Sequence, residues 1–287
     1  MRQYRVTTAI LEVFIMDRDW TATLLWLGLA ALPRAQAADT VELFAAGSLR
    51  AVVGELAKEA SVSYNIDIKP TFGGSGTLRE RIEKGESPDL FMSADVGSPR
   101  KLAAQGRAAV PAIPFARNRM CIVTPRSAGV TATNLVDRML DKGVRLKTST
   151  PVADPAGDYA WAIFDRVEAL RPGSGAILKD KARDTMSVTA TPNTPSQSAT
   201  AALFAAKQID MSVTYCSASA ALEREAPELT SLVVPPQLDP HPLYGMVVLS
   251  TKPQAQRLAL LLLSEKGQAL IASQGLVPLT ESGTTRP

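Results

Sequence analysis

The chain has 287 residues, of which 46% are hydrophobic and 21% charged, with a formal net charge of +3. This length suits one large or two small domains, and the composition is that of a globular protein with a core, which excludes disordered and fibrous classes. A small net charge without a basic stripe argues against a nucleic-acid partner, and 5% aromatic residues argues against a stacking platform for bases or sugars.

The N-terminal stretch reads as separate from the fold. Thr21–Leu32, TATLLWLGLAAL, is apolar but short for a bilayer span. Pro33-Arg34 ends it and Ala35-Gln36-Ala37 follows, an A-x-A cleavage pattern. Residues 1–37 are therefore expected to be a secretory signal cut after Ala37, with Met1 or Met16 as the start. No Cys follows the apolar run, which disfavours a lipoprotein. The expected product is exported to the periplasm.

From Val41 onward, strand and helix patterns alternate. Val41–Ala45 reads as a strand, Leu49–Ser61 as a helix, Ile66–Phe72 as a strand, and a helix follows Gly73-Gly74-Ser75-Gly76 through Leu78 and Ile82. Leu90–Ser93 is a short strand and Ser98–Gln105 a helix. A second unit repeats the alternation: Met120–Thr124 strand, Thr133–Asp141 helix, Thr148–Ala153 strand, Tyr159–Arg171 helix, Ser198–Lys207 helix, Met211–Tyr215 strand. Met246–Ser250 is a further strand, and Pro253–Gln274 one amphipathic stretch. Such alternation predicts an α/β fold with mostly parallel sheets covered by helices on both faces. Segments near Arg117 and the Pro-rich Pro235–Pro242 look like two passages of the chain between lobes. The expected division is residues 38–117 with 244–287 as one lobe, and 118–243 as the other, with the crossovers.

Cys121 and Cys216 lie on the apolar stretches MCIV and VTYC. Export permits a disulfide between them; two buried thiols are the other reading. His241 is the sole histidine and no Cys pair has ligand spacing, which disfavours a metal site.

Ligands of open α/β sheets bind at the carboxyl ends of strands, beside helix N-termini. Here those junctions carry Ala46-Gly47-Ser48, Gly73-Gly74-Ser75-Gly76-Thr77, Asp154-Pro155-Ala156-Gly157 and Thr194-Pro195-Ser196-Gln197-Ser198. Helix starts leave backbone N–H groups unpaired and carry a partial positive charge, so several of them facing one cleft can bind a dianion without Arg or Lys. Each position has a plainer reading. Ser48 reads equally as a helix N-cap, the Gly-Gly-Ser-Gly run as a flexible turn, Asp154 as a cap, and Tyr215 as a half-buried aromatic. An enzyme is not expected. A serine nucleophile needs a base, and His241 sits between prolines, far in sequence from both serines. Arg79 and Arg119 are the cations that would draw a carboxylate ligand, but Arg79 is expected to be solvated one turn into its helix.

Together AAGSL (Ala45–Leu49), FGGSGTLRERIEKGESPDLFMSAD (Phe72–Asp95), FARNRMCIVTP (Phe115–Pro125), DPAGDYA (Asp154–Ala160) and VTYCSAS (Val213–Ser219) resemble the periplasmic molybdate-binding proteins of ABC importers. The resemblance implies the two-lobed type II periplasmic-binding-protein fold, a cleft closing on molybdate or tungstate, no cofactor, and a monomer that delivers its anion to a membrane permease of the ABC type. It implies hydroxyl donors at Ser48, Ser75 and Tyr215 and backbone donors at Ala156 and Gln197. Asp154 is expected to turn from the anion and cap its helix. The same donors would also serve sulfate, phosphate or a small carboxylate, with cavity size deciding among the oxyanions.

Overall fold

The computed structural model describes residues 39–279, apart from positions 193, 195 and 196. The expected signal segment lies outside the described residues. In chain order the elements are β1 (Asp39–Ala46), α1 (Arg50–Tyr64), β2 (Ile66–Gly73), α2 (Ser75–Glu83), β3 (Leu90–Ser93), α3 (Gly97–Ala104), β4 (Ile113–Arg117) and β5 (Met120–Pro125). There follow α4 (Leu135–Leu140), β6 (Leu146–Lys147), α5 (Pro155–Leu170), α6 (Ser174–Met186), α7 (Ala199–Ala205), β7 (Met211–Tyr215), α8 (Cys216–Glu225), β8 (Leu229–Val233), β9 (Leu243–Val248), α9 (Pro253–Leu263), α10 (Glu265–Ser273) and β10 (Val277–Pro278).

The strands form a six-stranded sheet, β10-β4-β9-β3-β1-β2, and a four-stranded sheet, β6-β7-β5-β8. The first draws on both ends of the described chain, the second on its middle. The fold is α/β and two-lobed, but the expectation of mostly parallel sheets is corrected. β1 runs parallel to β2 and β3, whereas β9 is antiparallel to β3 and β4. In the smaller sheet β5 is antiparallel to β7 and β8, and only β6 with β7 is parallel. The cause is connectivity. β9 returns from the other lobe without a crossover helix, so it enters the sheet head-to-tail.

Local sequence explains the first unit. In α1, Val52, Val53, Leu56 and Ala60 are buried at helical spacing. Burying a side chain such as Leu56 contributes about 1.5–3 kcal/mol. Asn65 ends the helix in the left-handed conformation, φ 51°, which Asn tolerates. One apolar cluster continues from Leu43 and Leu56 through Phe115 and Tyr244 to Phe164 and Met211, joining both sheets.

Two expected elements differ. Thr148–Ala153 is not a strand: β6 stops at Lys147, and Pro151–Ala153 turns. Proline has no N–H for a ladder, and Val152 is held at φ 70° with its N–H donated to Asp158 Oδ1 at 2.8 Å. The Pro253–Gln274 stretch is two helices, split at Ser264, whose hydroxyl caps α10 by accepting from Gly267 N. Helices α6 and α8 and strands β4, β6, β8 and β10 are additional to those expected.

The crossovers run side by side. Asn118 N donates to Pro242 O at 2.9 Å, and Val234 N to Met120 O at 2.8 Å. A disulfide joins Cys121 on β5 to Cys216 at the start of α8, 95 residues apart. In the chain-entropy account, closing a loop of that size stabilises the fold by roughly 4–5 kcal/mol. Among the described residues, no helix is long and apolar enough to cross a membrane, and no group of three or more His, Cys, Asp or Glu is placed to hold a metal ion.

Candidate functional site

The carboxyl end of β1 leads into a short 3-10 turn, Gly47–Leu49, before α1 begins. Ser48 is not an N-cap: neither this turn nor α1 has a side-chain cap bond. Its hydroxyl instead lies 3.0 Å from that of Tyr244, at the start of β9. Because β9 is antiparallel to β3, its first residues reach the same sheet edge as the last residues of β1 and β3. Asn118, on the crossover after β4, donates from Nδ2 to Tyr244 Oη at 3.1 Å and to Ser217 Oγ at 2.8 Å. Ser217 is in the first turn of α8, in the smaller lobe. A polar chain therefore runs from Ser48 through Tyr244 and Asn118 to Ser217.

Tyr215 ends β7 beside this chain. Its ring packs edge-on against Tyr244, centroids 5.6 Å apart, and against Tyr159, 6.3 Å apart. The residue is 4% exposed, and its hydroxyl makes no hydrogen bond of good geometry among the described residues, although the Tyr244 hydroxyl is near enough to interact with it. Burial pushes its pKa well up, and the neighbouring Tyr244 and the charge of Asp154 push the same way. Burial also raises Tyr244, and takes Tyr159 up to about 12 even though that phenol accepts from Leu243 N. All three phenols are thus protonated donors at neutral pH.

Ser75 is the first residue of α2 and fully buried. Its Oγ accepts from Ala94 N at 3.0 Å, which fixes it against the turn after β3 and leaves its own proton available. The glycines around it are required by the approach of the other lobe. A Cβ on Gly74 would lie 2.3 Å from Ala153 O, and one on Gly76 1.8 Å from Val152 O. Thr77 N donates to Ala153 O at 3.3 Å across the same contact. The Gly-Gly-Ser-Gly run is therefore a lobe-to-lobe contact and not a free turn.

Asp154 caps α5 as expected, its Oδ1 accepting from Ala156 N at 3.2 Å. The Ala156 amide, expected as an anion donor, is engaged by that carboxylate here. Capping does not take Asp154 out of reach of the tyrosines, since its charge still acts on Tyr215. Gln197 precedes α7, which opens at Ala199 with Ser198 as its cap, and the Gln197 amide donates to Thr194 O at 3.0 Å. The structure thus gathers Ser48 and Tyr215 around Tyr244, and sets Ser75 on the facing contact.

Cations lie to the side. Arg119 is exposed. Arg79 differs from expectation: its side chain is 16% exposed and lies 3.5 Å from Glu83. It lines a cavity of about 320 Å³ with Gly76, Asp95, Val152 and Asp158, at the edge of the lobe contact. Burial raises the pKa of Asp158 there, and Asp95 and Asp154 add to it against the Val152 N–H and Arg79. Among the described residues, no Arg or Lys side chain is hydrogen-bonded to Ser48, Ser75, Tyr215 or Tyr244.

Sequence reasoning missed Tyr244, Asn118 and Ser217. The available signal was that Asn118 and Tyr244 flank the two crossovers, where a cleft between lobes must be. Ser217 lies two residues beyond Tyr215, at a strand-to-helix junction like the other serines.

Two α/β lobes, a double crossover, and hydroxyls from both lobes gathered beside it define the class of type II periplasmic binding proteins. The bacterial extracellular solute-binding protein family matches residues 41–277, and the chain belongs to that family. A protein of Pasteurella multocida, described as uncharacterised, is 38% identical over 144 residues, half of this chain and 59% of its own length. The chain thus spans under two thirds of the length of that curated relative. Among solved structures, the sulfate-binding protein SubI of Mycobacterium tuberculosis is similar with a TM-score of 0.68 at 15% identity, covering 84% of this chain and 87% of its own. The periplasmic molybdate-binding protein of Azotobacter vinelandii is similar with a TM-score of 0.65 at 18% identity, covering 84% and 100%. At such identities the likeness carries the fold.

Proposed function

We propose that this protein is the binding component of an ABC-type importer, exported to the periplasm, and that it captures molybdate or tungstate between its lobes for a membrane permease. The observation that carries the reading is Tyr215: a buried, protonated hydroxyl without a hydrogen bond of good geometry, its ring against Tyr244, whose own hydroxyl meets Ser48. A buried donor without an acceptor costs about 1–3 kcal/mol, so such an arrangement fits a ligand that supplies oxygens. The donors are neutral, which suits a compact dianion better than a carboxylate, for which a guanidinium is the usual partner.

Sulfate is the second reading. It presents the same four-cornered set of acceptors, and SubI, of similar fold, is a sulfate-binding protein. Calorimetry of residues 38–287 against molybdate, tungstate, sulfate and phosphate separates the readings. Binding of molybdate or tungstate in preference to sulfate is the expected result. Heat from sulfate alone selects the second reading, and heat only from a carboxylate or a sugar overturns both.

A further inference from the structure

We infer that Asn118 is a positioning residue that turns the hydroxyl protons of Ser48 and Ser217 toward the cleft, one from each lobe, so that the ligand must present bare oxygens to both. This rests on the oxyanion reading above and adds a determinant of it.

The direction of each bond follows from the donor inventory. Asn118 Oδ1 accepts from Arg119 N at 2.9 Å, which fixes the amide's orientation. Its other end is therefore Nδ2, which can only donate, and its two N–H groups go to Tyr244 Oη and Ser217 Oγ. Tyr244 is fully buried and accepts from Asn118, so its single proton needs an acceptor. Tyr215, the other hydroxyl near it, stands as a donor toward it, so Ser48 Oγ, at 3.0 Å, is that acceptor. Ser48 and Ser217 each receive a hydrogen bond, and each keeps its own proton to give. Both are only partly buried, unlike the amide that directs them. Asn118 sits on the crossover, so one side chain sets donor direction in both lobes.

The test is calorimetry of the wild type and Asn118→Asp with molybdate, tungstate and sulfate. A carboxylate at position 118 accepts from Tyr244, reverses the chain and makes Ser48 donate inward. Affinity is expected to fall about 10- to 100-fold at about pH 8. It should recover in part toward about pH 5.5, where the introduced carboxyl, buried against Tyr244, takes up a proton and donates to one of its two partners. Asp154, whose charge also reaches the tyrosines, is common to both proteins and does not enter their ratio. A deficit unchanged between the two pH values, or no deficit, overturns the inference. Ser217→Ala is the second variant, since it removes one arm and leaves the amide's bond to Tyr244 in place; it should bind about 10-fold more weakly while still folding, and wild-type affinity would overturn the inference. If the wild type binds none of the three anions, the oxyanion reading itself fails and takes this with it.

Discussion

The hydroxyls of Ser48 and Tyr244 meet at 3.0 Å although 196 residues separate them. The contact ties the end of the first strand to the strand that returns from the other lobe. Tyr244→Phe removes both the acceptor for Asn118 and the donor to Ser48. Expected are a stability loss of about 1–2 kcal/mol and weaker oxyanion binding, read by thermal melting and calorimetry. Unchanged values in both would make the contact incidental.

Tyr215→Phe should behave in the opposite way toward the fold. Its hydroxyl makes no hydrogen bond of good geometry, so deleting it removes little and relieves a buried donor. Stability should stay within about 0.5 kcal/mol of wild type or rise, while affinity falls about 10- to 100-fold. A variant that melts early yet binds normally would place Tyr215 in the core and not in the site.

Gly76→Ala puts a methyl where Val152 O already stands, whereas Gly47→Ala meets nothing within 4 Å. The first should hold the lobes apart and cost roughly 1–3 kcal/mol along with affinity; the second should leave binding intact. Small-angle scattering with and without molybdate would show whether Gly76→Ala has lost closure.

Asp89 supplies a pH dependence. Burial alone would raise its pKa, but the Lys252 ammonium at 2.9 Å, the Glu42 N–H and Ser250 outweigh it and the net shift is downward. A carboxyl depressed in the folded state contributes stability above its unfolded pKa of about 3.9, lost as pH falls through the folded value. Asp89→Asn should be less stable than wild type by about 1–3 kcal/mol at about pH 7, and the gap should close toward about pH 3. Urea unfolding at both pH values reads the difference; a gap that persists in acid would assign the loss to packing.

The strand-to-helix junctions were legible from sequence because small residues follow apolar runs there. That is how Ser48 and Ser75 could be singled out from local pattern, whereas Tyr215 only ends a strand there and took its donor role from the family resemblance. Tyr244 was not, because PPQLDPHPLYG reads as an extended connector, and the strand inside it starts at Leu243, three residues before the apolar run suggests. Asn118 looks like an ordinary polar residue between two strands; only the pairing of the crossovers shows what its amide can reach. Sheet direction was misjudged for a related reason. Periodicity reports which face of a strand is buried, and says nothing of the direction in which a returning strand enters. The Thr148–Ala153 strand failed on a local cause, since Asp158, six residues on, captures the Val152 N–H that a ladder would have used.

The bond between Cys121 and Cys216 closes β6, β7 and helices α4 to α7 into a covalent ring. Both passages between the lobes, near Asn118 and before Leu243, lie outside it. A single protease cut anywhere within the ring would leave one molecule with no loose half, while the lobes could still swing on uncut strands. Exposure to the oxidising side of a membrane would therefore armour the part of the protein that carries Tyr215 without stiffening the joint on which it moves.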